Sequence, residues 1–118
     1  MTLISQETCT KILELSEGIR GVHVIDQQGR IIVEKDAEVT SYLSDEARED
    51  LRGVWAAIFQ GVLGKLAQYW GEPQSLHIKF SKVSVFGLPY TGGAVVVMAE
   101  PSVPPAKISE IQQILENA

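Results

Sequence analysis

One stretch of this chain constrains its fold more than any other. Ala47, Leu51, Val54, Trp55, Ile58, Phe59, Val62, Leu63, Leu66, Tyr69 and Trp70 follow one another at helical spacing, the pattern of a rod with a buried side. Ser44 is placed to cap it, and Asp45 and Glu46 suit its positive end. Gly71 and Pro73 stop it. At 100° per residue the apolar positions fill an arc of roughly 180°, wider than the ~100° stripe needed to lie on one sheet. The excess asks for a second neighbour.

The flanking segments supply the sheet. Upstream, Ile4, Cys9, Ile12, Leu15 and Ile19 predict a short first helix, capped by Ser5 and ended by Gly18. IRGVHVIDQQGRIIVEK then reads as a hairpin over residues 20–26 and 30–35, turning at Asp26-Gln27-Gln28-Gly29. Residues 36–44 are a polar connection. Downstream, Leu76, Ile78 and Phe80 alternate with Ser75, His77 and Lys79, a strand wet on one face. Residues 83–86 form another strand, and GLPYTGG reads as a turn-rich loop. Residues 94–99 are apolar without alternation, so both faces should be covered and the strand central. Ile108, Ile111, Ile114 and Leu115 mark a last helix, with Pro105 near its first turn.

The order is helix, two strands, long helix, three strands, helix: a three-layer α/β sandwich. No linker or repeat divides the 118 residues, so one domain over 1–118 is expected. The longest apolar run is far short of the ~20 residues a membrane helix needs. No apolar leader opens the chain, which sets the expectation of a cytoplasmic protein. The net charge of −5, with basic residues scattered singly, argues against nucleic acid. His23 and His77 lack ligand-spaced partners, so no metal is expected. The single cysteine, Cys9, falls on an apolar helix face, where an inert thiol is expected. No nucleophile elbow, P-loop or dinucleotide fingerprint is present.

GVHVIDQQGRIIV resembles the first hairpin of the roadblock and dynein light-chain superfamily, a relative of the longin and profilin folds. LHIKFSKVSVFGLPYTGGAVVVMAE is similar to that family's last three strands, with its Pro-bearing loop and Gly pair. The resemblance covers residues 3–117. It implies a five-stranded antiparallel sheet in αββαβββα order, the long helix on one face and the terminal helices on the other. It also implies a dimer, with itself or with a paralogous roadblock protein, in which the long helices lie side by side and strand 75–80 pairs with its copy. The implied role is that of a non-enzymatic adaptor that regulates or tethers a small Ras-like GTPase, or serves a scaffold or motor complex, with no catalytic residue and no cofactor.

The residues point to where such contacts would fall. Gly53, Ala57, Gly61 and Gly64 lie within roughly 80° on the helix, away from the apolar arc. Glycine in an exposed helix costs about 1 kcal/mol relative to alanine, so either another backbone approaches here or a stable helix tolerates the loss. The expected interface comprises Val54, Ala57, Ile58, Gly61, Val62, Gly64 and Lys65 on the helix and Ser75, His77 and Lys79 on the strand. Trp55, Phe59, Tyr69 and Trp70 divide between core and contact, and the sequence does not say how. Leu88, Pro89 and Tyr90 form either an exposed loop tip or a cover for their own sheet. Arg20, Arg30, Arg48 and Arg52 are available, but nothing marks one as an inserted arginine finger. The rival readings are a ligand-sensing PAS or GAF module, which would need an enclosed pocket with convergent polar groups, and a profilin-like module, which would need an aromatic groove from both terminal helices, neither of which has a Trp or Tyr.

Overall fold

The computed structural model describes residues 4–37, 45–90 and 93–117, without the side chains of Asp45, Arg48 and Arg52. Helix α1 (Gln6–Leu13) is capped by Ser5, whose side chain accepts from the Thr8 amide. Strands β1 (Ile19–Asp26) and β2 (Ile31–Asp36) form the hairpin. A long rod follows: α2 (Asp45–Ala56), a π-helical segment (Ala57–Val62) and α3 (Leu63–Trp70). Then come β3 (Leu76–Lys79), β4 (Ser84–Tyr90), β5 (Gly93–Ala99) and α4 (Lys107–Glu116). The strands form one five-stranded antiparallel sheet in the order β2-β1-β5-β4-β3. The expected cap at Ser44 lies outside the described residues.

Apolar β5 is central, as its lack of alternation requires. It separates two cores. On one face Cys9, Ile12, Val22, Val24, Phe86, Leu88, Val95, Val97 and Ile111 pack beneath α1 and α4. On the other, Ile25, Val85, Ala94, Val96 and Met98 lie beneath the rod, with Trp55 and Phe59 packed on them. The β1–β2 turn depends on Gly29, at φ 81°, and on Asp26, whose Oδ1 accepts from the Gln28 and Arg30 amides at 2.9 and 3.0 Å. Burial works to raise the Asp26 carboxyl, but these hydrogen bonds and the Arg30 charge outweigh it and hold it below its ordinary value.

The structure corrects three local expectations. Helix α1 ends at Leu13, and Ile19 opens β1. Gly18 therefore does not close the helix in a left-handed conformation; among the described residues only Gly29 and Gly71 have positive φ. Gly18 is instead needed for space, because a Cβ there would meet Val103 Cγ2 at 2.5 Å. Strand β4 runs on through Gly87, Leu88, Pro89 and Tyr90, which the sequence reading placed in a loop. Pro89 is tolerated because β3 has already ended, its first residue Leu76 pairing with Gly87, so no ladder donor is required on that side. Leu88 is 2% exposed and Tyr90 packs on the same core; the pair covers its own sheet.

Candidate functional site

The rod is where the chain is least finished. None of its described side chains is fully buried. Its middle is a π segment, where the Leu63 amide bonds Ile58 O, five residues back. At 3.6 residues per turn, a row spaced by four drifts about 40° per step. A π turn is wider and absorbs much of that drift. Two rows spaced by four therefore stay in line. Trp55 and Phe59 pack on the sheet, Leu63 and Ala67 continue their row, and all four are half-buried. Val54, Ile58, Val62 and Leu66 run beside them, with Val54 45%, Val62 57% and Leu66 36% exposed. Phe59 seats the rod by lying on Gly87, where a Cβ would stand 2.7 Å from its ring.

The exposed row borders a groove. Leu51, Val54, Trp55 and Ile58 form one wall, and Ile78, Phe80, Val83, Val85 and Met98 the other; its volume is about 410 Å³ and its lining is almost wholly apolar. The far rim is β3, which among the described residues is the last strand of the sheet and pairs only with β4. Its outer N–H and C=O groups are therefore a template for another strand. Phe80, just past it, is 52% exposed.

The expected interface residues distribute unevenly around this groove. Val54 and Ile58 line it, and Val62 continues their row. Ala57, Gly61 and Lys65 are exposed on the outer side of the rod. Within the subunit, a Cβ at Gly53 or Gly61 would meet nothing within 4 Å, so any close approach there must come from outside. Gly64 belongs to a different place: with Gln27, Phe59, Pro89 and Tyr90 it lines a second cleft of about 270 Å³. Ser75 is exposed just before β3, and Lys79 is exposed within it. His77 lies on the α1/α4 side of the sheet, stacked on Phe86 with ring centroids 4.7 Å apart. Its Nε2 is buried without a hydrogen-bond partner. The aromatic division is resolved: Trp55 and Phe59 pack inward, whereas Tyr69 and Trp70 are 76% and 79% exposed.

Two features escaped sequence reasoning. One is the π segment, which has no composition signal. The other concerns His23, whose ligand-type partners lie across the hairpin rather than at a helical or turn spacing: its Nε2 is 3.0 Å from Asp36 Oδ1 and 3.5 Å from Glu34 Oε2. The expectation that no such partner exists is corrected. Cys9 is buried in the α1/α4 core, where desolvation pushes its thiol up, and Asp26 is tied to Arg30 at 2.8 Å. No described helix is long and apolar enough to cross a membrane.

By sequence, no family model and no curated protein matches the chain. Solved structures do match it. A Roadblock/LC7 domain from Streptomyces avermitilis superposes with a TM-score of 0.75 at 8% identity, covering 98% of this chain and 94% of that one. MglB in a tetrameric arrangement gives 0.74 at 15% identity, covering 96% and 86%. The gliding protein MglB from Thermus thermophilus gives 0.69 at 15% identity, covering 100% and 96%. The superpositions and their near-complete coverage agree: this chain has the Roadblock/LC7 fold.

Proposed function

We propose that this chain is a non-enzymatic cytoplasmic adaptor that works as a dimer and binds a small Ras-like GTPase or a scaffold protein. The supporting observation is the apolar groove bounded by an exposed rod on one side and a free strand edge on the other. A second copy of the chain suits both walls at once. Its strand would pair with β3, and its rod would lie along the exposed row. A two-fold axis makes such a patch self-complementary. The row satisfies that requirement, because Val54, Ile58, Val62 and Leu66 are evenly spaced about Gln60. An antiparallel partner rod thus sets Ile58 against Val62 and Val54 against Leu66. A stable interface of this kind buries about 1,000 Å² or more.

Pairing would leave the outer side of both rods, with Gly53, Ala57, Gly61 and Lys65, facing away from the joint sheet. That is where the GTPase or scaffold would dock. Any effect on nucleotide hydrolysis would come from repositioning the GTPase's own groups. Ligand sensing fits less well, because the groove opens along the sheet edge and its lining offers few polar groups to orient a small molecule.

Sedimentation at micromolar concentration should give a dimer, and Val62→Glu a monomer with its fold intact. Mixed Ile58→Cys and Val62→Cys proteins should cross-link to each other more readily than either does to itself. A wild-type monomer would remove the dimer. Binding to purified Ras-like GTPases should depend on the bound nucleotide; no binding in either nucleotide state would remove the GTPase and leave the scaffold.

A further inference from the structure

We propose that His23, Glu34 and Asp36 form a binding site for one first-row divalent transition cation. The β1–β2 register places His23 opposite Glu34 and Gly21 opposite Asp36. Glu34 and Asp36, two apart on β2, therefore share a face, and the imidazole reaches both from the neighbouring strand. The three ligand atoms lie within 4.8 Å of one another. The separations from Nε2, 3.0 and 3.5 Å, are those of ligands sharing a cation at about 2.0–2.2 Å.

The donors that now share a hydrogen bond between His23 and Asp36 are also of the kind that hold a cation. Nε2 carries at most one proton, so it donates to one of the two carboxylates that face it. A divalent cation uses the lone pair of Nε2 and balances both carboxylate charges. The imidazole side chain is 5% exposed, while Glu34 and Asp36 are 38% and 26% exposed. The nitrogen is thus fixed in the sheet, and the carboxylates leave an entry path. Gly21 makes the room: a Cβ there would stand 2.7 Å from Asp36 Oδ1. One imidazole with two carboxylates suits Zn²⁺ and its first-row neighbours, whereas Mg²⁺ and Ca²⁺ prefer oxygen alone. Glu34 and Asp36 each hold a further interaction, so the cation enters by exchange against existing contacts. The site joins β2 to β1, at the opposite end of the strand order from β3. Its occupancy would clamp the hairpin, and Met98, a wall of the groove, lies beside it across Gly21.

The test is Zn²⁺ titration of the untagged, metal-stripped chain, by calorimetry and thermal melting. The expected result is one Zn²⁺ per chain. At saturating metal the melting temperature should rise by roughly 5–10 °C, and Mg²⁺ should have no effect. Glu34→Gln and Asp36→Asn should each weaken binding at least tenfold. Because His23 is buried, His23→Gln is read only if its unliganded melt stays cooperative, and binding should then be lost. His77→Gln should bind as the wild type does. No heat and no shift at millimolar Zn²⁺ would overturn the site. So would unchanged affinity in Glu34→Gln and Asp36→Asn, or loss of binding in His77→Gln.

Discussion

The two faces of the sheet are built differently. Among the described residues, twelve buried apolar residues, three of them on α1 and α4 themselves, form one cluster on the face those helices cover. Beneath the rod there are five, and the helical residues covering them, Trp55 and Phe59, are only half-buried. Short helices of eight and ten residues finish the first face. A much longer rod leaves the second unfinished. Apolar helix surface does not by itself make a core. What matters is whether its rows align with a surface that can receive them.

The contrast can be broken first in the finished core. Ile111→Ala should cost about 3 kcal/mol, as a fully enclosed aliphatic side chain does, with no change in oligomeric state. Denaturant titration and sedimentation check both parts; a loss under 1 kcal/mol would mean that this face is as loose as the other. Phe59→Ala should cost less, about 1–2 kcal/mol, because the ring is half-exposed. It should also loosen the rod, visible as faster amide exchange over residues 57–62 before any change in the strands. Equal exchange in rod and strands would erase the distinction between the faces.

Gly61→Ala sharpens the comparison from outside. With nothing near it in the subunit, added helix propensity should stabilise by up to about 1 kcal/mol. If a partner backbone approaches there, the same change should weaken binding instead. A melt and a binding isotherm on one variant separate these outcomes. The smallest effect is expected at the turn shared by both faces. Asp26 has a folded-state carboxyl below its ordinary 3.8, so its contribution is present above that pH and fades as pH falls through the lower folded value. In Asp26→Asn, that part of the acid dependence should disappear from a stability profile taken between pH 2 and 5.

Much of this was legible in the residues. Steps of three and four fixed the rod, and the unbroken apolar run at 94–99 fixed a central strand. The Asp26 to Gly29 turn and the stop at Gly71 were local chemistry, written where they act. The misreadings came where a distant element decided. GLPYTGG carries every sign of a loop, yet Gly87 is held as strand by β5 and β3, and Leu88 by β5. Gly18 looked like a helix cap, but Val103, far along the chain, takes the space its side chain would need. His23 had no partner at any informative spacing, because hairpin register rather than sequence distance brings Glu34 and Asp36 to it.

By itself, then, the sequence determined the elements, their order and a surplus of apolar helix surface, because periodicity and turn chemistry act over a few residues. Tertiary structure alone decided where that surplus points. A widened helical turn lined up two apolar rows, one against the sheet and one against the open edge of β3. No single-residue preference encodes that alignment, because it depends on where the widened turn falls relative to the sheet.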